Sequence, residues 1–192
     1  ACAVYNGIAL EDYPFKAERG ERLLFVGRLD SFKRPHIAID VAKRTGLGLD
    51  IVGGSFVYDA IYMEQIKKDC DGKQIKLYLD APHEKKVELY QNAKAVIFPS
   101  KLGEPFGLIV PEANACGTPV IASPDGAIPE TVKEGETGFI CNTIDEMVEA
   151  VSKVDQIKPG DCRAWVEKQF NREMMATSYL EVYNKIMAGE EW

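Results

Sequence analysis

Short apolar runs alternate with longer amphipathic stretches along the chain. The run 23–27 is continuously apolar, as expected of a strand buried on both faces, whereas 75–79 alternates between apolar and polar residues. Strands are therefore predicted at 23–27, 49–53, 75–79, 95–99, 120–122 and 138–140, with the last at an edge of the sheet.

Between these strands the apolar residues recur at helical spacing. Helices are predicted from Pro35 to just before Gly46 and over 58–70, 83–92, 108–116, 129–133, 144–154, 161–169 and 172–187. Strands separated by helices imply βαβ units. The predicted fold class is therefore α/β: a doubly wound, Rossmann-like parallel sheet of about six strands with helices on both faces. No repeat or long linker divides the sequence, so residues 1–192 are predicted to form a single domain.

Composition and charge narrow the classes of function. The 192 residues are 46% hydrophobic and 28% charged, which is typical of a soluble globular protein, and the net charge of −7 disfavours a nucleic-acid partner. No apolar stretch reaches the ~18 residues of a membrane span, and we expect no signal peptide. Five widely spaced cysteines and two distant histidines favour reduced thiols in a cytoplasmic protein over disulfides or a metal site.

Candidate chemistry follows the first and fourth strands, since ligands of doubly wound sheets bind at the carboxyl ends of strands. Gly27 is followed by two cations, Arg28 and Lys33. The fourth strand leads through a glycine-containing loop into a helix, whose free amides suit a phosphate or a sugar hydroxyl. Glu104 and Glu112 flank that helix start, and carboxylates accept strong hydrogen bonds from sugar hydroxyls.

In order and at the right intervals, these residues resemble the C-terminal, donor-binding half of the family 4 retaining glycosyltransferases of GT-B fold (glycosyl transferases group 1). The resemblance covers nearly the whole chain. It is carried by 4–8, 25–28 with Lys33, 99–100, 104–112, 113–122, 126–130 and 136–139. This sequence departs from the family's frequent glycines at Asp80 and Ala127, and from a frequent methionine at Asn114.

The resemblance implies a role for each matching residue. Arg28 and Lys33 would stabilise the donor diphosphate as leaving group, and Glu104 would bind hydroxyls of the transferred sugar; these three form the expected catalytic set. The donor-binding set is expected to comprise Gly27, Arg28, Lys33, Phe106, Gly107, Leu108 and Glu112, with Glu112 on the ribose. The loop at Asp80 and Ala81 would flank the base.

The resemblance also implies an activity. We expect hexose transfer from a nucleotide-diphosphate sugar, with retention of configuration and with no metal or further cofactor. GDP-mannose is the favoured donor, for a mannosyltransferase of polysaccharide biosynthesis, and UDP-glucose is the alternative. A missing N-terminal domain would hold the acceptor, with the last helices, about 161–187, packing toward it. Peripheral membrane association through that domain stays open, and the isolated chain is expected to be inactive.

Other interpretations remain. A non-catalytic nucleotide-sugar-binding or regulatory module would keep the same fold, while an epimerase or phosphorylase of this architecture is less favoured. The stretch 69–71 mimics a metal-binding DxD motif but is predicted to end a helix. Glu130 could serve the ligand or only a local pair. Four aromatic residues are predicted to pack the last helices: Trp165, Phe170, Tyr179 and Tyr183.

Overall fold

The computed structural model describes residues 3–56, 59–101 and 103–189, and this part of the chain holds one six-stranded parallel sheet. Its strands are β1 (Arg22–Val26), β2 (Leu49–Gly53), β3 (Ile75–Leu79), β4 (Ala93–Phe98), β5 (Val120–Ala122) and β6 (Gly138–Ile140). The spatial order is β3-β2-β1-β4-β5-β6, which confirms the doubly wound, Rossmann-like fold and places β6 at an edge.

Helices connect the strands as the periodicity predicts. They are α1 (Pro35–Thr45), α2 (Ala60–Asp69), α3 (His83–Gln91), α4 (Ile109–Ala115), α5 (Ile128–Thr131), α6 (Ile144–Lys153), α7 (Pro159–Gln169) and α8 (Arg172–Met187). The helix α7 begins two residues earlier than predicted, because Pro159 occupies its first turn, where its missing N–H costs nothing. Tyr58, the predicted start of α2, and Cys2 lie outside the described residues.

The chain order reverses between β1 and β4. Leu23 of β1 pairs with Leu49 of β2 on one side and with Ala95 of β4 on the other. The loops that follow β1 and β4 therefore leave the sheet side by side, and the amide of Lys101 donates to the carbonyl of Phe32 at 2.9 Å. This is the position at which doubly wound folds bind their ligands.

Both faces of the sheet are covered. Leu23 and Phe25 point into the layer formed with α1, α2 and α6, whereas Leu24 and Val26 point into the layer formed with α3, α4 and α7. All four side chains are at most 6% exposed. A strand with apolar layers on both sides needs an uninterrupted apolar run, which is the pattern seen at 23–26.

The four aromatic residues predicted to pack the last helices differ in their exposure. Phe170 is 1% exposed and its ring contacts Trp165 edge-on at 5.8 Å, in agreement with a packing role. Tyr179 and Tyr183 are 43% and 55% exposed, and their rings lie 6.2 Å apart, so their packing against a further domain stays a prediction. No residue of α8 is buried within the described part of the chain, and Met175, Ser178 and Val182 are half-buried. Helical spacing indicates that an apolar face exists but not what covers it.

The described cysteines are mostly buried, as predicted: Cys116, Cys141 and Cys162 are buried and Cys70 is half-buried. Among the described residues no group of histidine, cysteine and acidic side chains has the arrangement of a metal site. No helix found within 3–56, 59–101 and 103–189 has the length and apolar character needed to cross a membrane.

Buried thiols should make the fold sensitive to alkaline pH. Burial raises the pKa of Cys162 from 9.0 to about 12. The neutral thiol therefore stabilises the fold fully below pH 9, and this contribution is lost between pH 9 and 12 at up to about 1.4 kcal/mol per pH unit. We expect Cys162→Ala to show a shallower fall in the free energy of unfolding than the wild type, measured by urea denaturation at pH 8.5, 9.5 and 10.5. Parallel curves for the two proteins would contradict this assignment.

Candidate functional site

An ion pair between Lys33 and Glu104 joins the loops that follow β1 and β4. Both side chains are largely shielded, at 20% and 10% exposed. Asp30 fixes the turn that carries the lysine, since its carboxylate accepts hydrogen bonds from the amides of Phe32 at 3.1 Å and Lys33 at 2.8 Å. Ser100 adds a hydroxyl at 3.4 Å from the Glu104 carboxylate. The pair is thus held by residues of both loops.

Two cavities meet at this ion pair. The larger, of about 340 Å³, is lined by Asn6, Lys33, Phe98, Glu104, Pro105, Phe106, Gly107, Leu108 and Ile109. The smaller, of about 210 Å³, is lined by Arg28, Phe32, Lys33, Ser100, Lys101, Gly103, Glu104 and Pro105. The two predicted sets, catalytic and donor-binding, together contain eight residues. Six of these line the two cavities: Arg28, Lys33, Glu104, Phe106, Gly107 and Leu108.

Arg28 lies at the outer end of this arrangement. Its side chain is 56% exposed and its Nε is 3.2 Å from the buried carboxylate of Asp30. Gly27, which precedes it, continues the sheet contacts of β1 by donating its amide to the carbonyl of Val52 at 3.0 Å. The two predicted cations therefore face the same opening, with Lys33 deeper and Arg28 at the surface.

Gly107 is required by the backbone at the start of α4. Its φ of +81° favours glycine, and a Cβ there would be 2.6 Å from the side chain of Ile128. Within the described chain, the backbone amides of Phe106, Gly107 and Leu108 donate to no protein acceptor. These amides are therefore available to a bound molecule in the larger cavity, as predicted for a sugar or phosphate oxygen.

Glu112 lies apart from the linings of both cavities. Its carboxylate is 11% exposed and accepts hydrogen bonds from the hydroxyls of Tyr13 at 2.9 Å and Tyr90 at 2.8 Å, and from the ammonium of Lys86 at 3.1 Å. Burial and the nearby Glu112 charge raise the pKa of both tyrosines, so each keeps its proton and acts as donor. The contact of Glu112 with a ribose stays a prediction.

The loop after β3 is tied to the loop after β2. Asp80 has a left-handed φ of +51°, which explains a preference for glycine at this position. Its carboxylate accepts the amide of Ser55 at 2.9 Å, and hydrogen bonding from Ser55 lowers its pKa. Ala127, at the second frequent glycine, has an ordinary φ of −79°, so its methyl group causes no backbone strain.

The structure gives partners to two residues whose roles the sequence left open. Glu130 accepts a hydrogen bond at 2.8 Å from the hydroxyl of Tyr5, 125 positions earlier in the chain, which also raises the pKa of that tyrosine; a role of Glu130 toward the ligand stays a prediction. Asp71 follows the end of α2, as predicted, and its carboxylate accepts the amides of Lys73 and Ile75, both at 2.9 Å. Asp69 pairs with Lys43 at 2.5 Å.

Asn6 is a cavity residue that the sequence reasoning missed. Its position depends on Ile8, whose amide donates to the carbonyl of Phe170 at 2.8 Å and whose carbonyl accepts the amide of Arg172 at 3.1 Å. A side chain at Gly7 would overlap with the carbonyl of Asn171. These partners are more than 160 positions away in the chain, so no local pattern could indicate that Asn6 reaches the site.

The profile of the family described as Glycosyl transferases group 1 matches residues 11–172. The chain belongs to this family. The match spans all six strands and both loops that form the site, and Asn6, which also lines the larger cavity, precedes the matched segment.

Curated relatives are similar over most of this glycosyltransferase domain. Glycogen synthase of Mycobacterium tuberculosis is 32% identical over 204 aligned residues, which cover 97% of this chain and 49% of that protein. D-inositol 3-phosphate glycosyltransferase of Mycobacteroides abscessus is 30% identical over 174 residues, covering 85% and 39%. The chain thus spans about half the length, or less, of these relatives.

Solved glycosyltransferases share the fold. AviGT4, a glycosyltransferase involved in avilamycin A biosynthesis, superposes with a TM-score of 0.83 at 23% identity, covering 100% of this chain and 59% of that one. HepE of Anabaena, solved in complex with UDP-glucose, has a TM-score of 0.81 at 18% identity, covering 96% and 57%. At these identities the likeness establishes the fold alone, and it agrees with the predicted GT-B half.

Proposed function

We propose that the chain is the donor-binding domain of a hexosyltransferase and takes a nucleoside-diphosphate sugar between the loops that follow β1 and β4. The Lys33–Glu104 pair carries this proposal. It sets a cation beside a carboxylate where two cavities meet, and a diphosphate joined to a sugar presents the matching groups, an anion beside hydroxyls.

Each group has a defined task in the proposed transfer. The bond between the anomeric carbon and the diphosphate oxygen breaks as a bond forms from that carbon to an acceptor hydroxyl oxygen. The acceptor's proton passes to the departing diphosphate, on which negative charge develops. Lys33 and Arg28 stabilise that charge, in a partly desolvated site where preorganised cations act most strongly. Glu104 accepts hydrogen bonds from the sugar hydroxyls, and its negative charge stabilises the positive charge that develops at the anomeric carbon. Retention of configuration without a metal ion is part of this proposal.

The identity of the donor is a finer proposal. GDP-mannose is favoured, and Asp80 supports a guanine: its exposed carboxylate stands in the loop expected to flank the base, and guanine offers two adjacent N–H donors where uracil offers one. UDP-glucose is the alternative, and it is the sugar nucleotide bound in the HepE complex. The mannosyl preference and a role in polysaccharide synthesis depend on the first choice.

A second domain belongs to the proposal. The relatives are about twice as long as this chain, and α8 presents apolar side chains that the described residues leave uncovered. These are Met174, Tyr179, Leu180, Tyr183, Ile186 and Met187, each at least 43% exposed. A surface of this kind marks an interaction site. The proposed domain packs on α8 and binds the acceptor substrate.

Calorimetry with GDP-mannose, UDP-glucose, GDP and UDP tests the proposal. We expect binding of at least one sugar nucleotide and its parent nucleotide, with little or no sugar transfer by this chain alone. Absence of binding at millimolar concentrations of all four would contradict it. The alternative of a non-catalytic module is tested on the protein that includes the second domain: binding without transfer there would favour the module.

A further inference from the structure

The backbone of Glu104 is held from the loop that follows β5. The carboxylate of Asp125 accepts hydrogen bonds from the amide of Gly103 at 2.8 Å and from the amide of Glu104 at 3.2 Å. In the opposite direction, the amide of Ala127 donates to the carbonyl of Glu104 at 2.9 Å. Three hydrogen bonds therefore connect the Glu104 segment to residues 125–127.

The close approach of the two loops depends on Gly126. Its φ is +55°, and a Cβ at this position would overlap with the backbone of Glu104. The loop is in turn anchored to the sheet, because the amide of Ser123 donates to the carbonyl of Phe98, the last residue of β4, at 3.1 Å. The position of Asp125 is thus set by the ends of β4 and β5.

Asp125 is not among the residues that line the two cavities, and it acts on a ligand there through the lining residues whose backbone it holds, Gly103 and Glu104. The side chain of Glu104 points to the ammonium of Lys33, in the loop that follows β1, and to the hydroxyl of Ser100, in its own loop. The carboxylate of a glutamate is joined to its backbone through several rotatable bonds, so its direction depends on a fixed backbone. The hydrogen bonds to Asp125 fix the backbone of Glu104.

We infer that Asp125 is a positioning residue for the sugar half of the donor: it orients Glu104 against the sugar hydroxyls and leaves the diphosphate contacts to Lys33 and Arg28. This inference rests on the proposed function. It predicts that loss of Asp125 weakens the sugar contacts and spares the diphosphate contacts, whereas a general loss of structure would weaken both. The ratio of the affinity for a sugar nucleotide to the affinity for its parent nucleoside diphosphate reports on the sugar contacts alone.

Asp125→Asn tests the inference with little change in shape. The asparagine side chain has an NH₂ group in place of one carboxylate oxygen. That NH₂ group cannot accept a hydrogen bond from the backbone N–H it faces, so one of the two hydrogen bonds is lost. We expect about tenfold weaker binding of the sugar nucleotide, taken as whichever of GDP-mannose and UDP-glucose binds the wild type. Binding of the matching GDP or UDP should change less than twofold. Calorimetry on the full chain measures both.

Asp71→Asn is the matched control. Asp71 also closes a loop through two backbone amides, but it lies before β3, at the amino ends of the strands and away from the site. It should leave the ratio of affinities unchanged. If Asp125→Asn lowers the melting temperature by more than a few degrees, Asp125→Ser, which keeps one acceptor, is used and should lower the ratio as well.

The possible results separate the two proposals. An unchanged ratio in the Asp125 variants, or an equal loss of affinity for sugar nucleotide and nucleotide, would overturn the positioning role while leaving the proposed function intact. A wild-type chain that binds none of the four nucleotides would overturn the proposed function and this inference with it.

Discussion

Lys33→Glu is expected to weaken the binding of a nucleoside-diphosphate sugar by about 3 kcal/mol, or roughly a hundredfold in Kd. The substitution removes the deeper of the two cations and sets a second carboxylate beside Glu104, where the wild type has an ion pair. An incoming diphosphate would then meet only negative charge at the junction of the two cavities. Calorimetry with the donor that binds the wild type measures the effect.

Lys68→Glu provides the matched control for this charge reversal. Lys68 is exposed near the end of α2, and helices of a doubly wound sheet end at the amino edge of the strands, opposite the site. It changes the net charge equally and should leave Kd within about twofold. Arg28→Glu should act in the same direction as Lys33→Glu but less strongly, because Arg28 is 56% exposed. A Kd for Lys33→Glu within threefold of the wild type would exclude Lys33 from the diphosphate site.

Glu112→Leu is expected to lower the free energy of unfolding by about 3 kcal/mol. The carboxylate is the shared acceptor of two buried tyrosine hydroxyls, and each buried donor left without an acceptor costs about 1–3 kcal/mol. Urea denaturation at pH 7 gives the difference. Glu88→Leu is the control, since Glu88 is exposed on α3 and forms only a surface pair with Lys85, so its loss should cost less than about 0.5 kcal/mol.

A triple variant separates stability from binding at the same position. Adding Tyr13→Phe and Tyr90→Phe to Glu112→Leu removes the unsatisfied hydroxyls together with their acceptor, so most of the lost stability should return. If Glu112 contacts the ribose, this triple variant still binds GDP and UDP more weakly than the wild type, although its stability is restored. Full stability of Glu112→Leu alone would show that the carboxylate is not the acceptor of the two tyrosines, and unchanged nucleotide binding by the triple variant would remove Glu112 from the site.

Both glutamates of the candidate site are held by protein partners before any ligand arrives. Glu104 is held through its side chain by Lys33 and through its backbone by Asp125, and Glu112 is held by two tyrosines and a lysine. Groups fixed in advance lose little conformational freedom on binding, so more of their interaction energy appears as affinity. Gly126 is part of this arrangement, because a Cβ there would overlap with the backbone of Glu104.

The amino-acid sequence by itself determined the elements and the class of fold. Apolar periodicity is a local property, and it placed all six strands and eight helices of the described chain to within a few residues. It also placed Lys33 and Glu104 in one site, because parallel βαβ units bring the carboxyl ends of β1 and β4 to the same edge of the sheet whatever the side chains are.

Only the tertiary structure decided how those residues are held and which neighbours they have. The partners of Glu112 include Tyr13, 99 positions earlier, and Asn6 enters the cavity through contacts with the start of α8. Asp125 reaches the Glu104 backbone from a separate loop, and Tyr179 and Tyr183 are exposed although their spacing is that of packing residues. These features depend on side-chain direction and on surfaces that meet only after the chain has folded, and neither is encoded in local spacing.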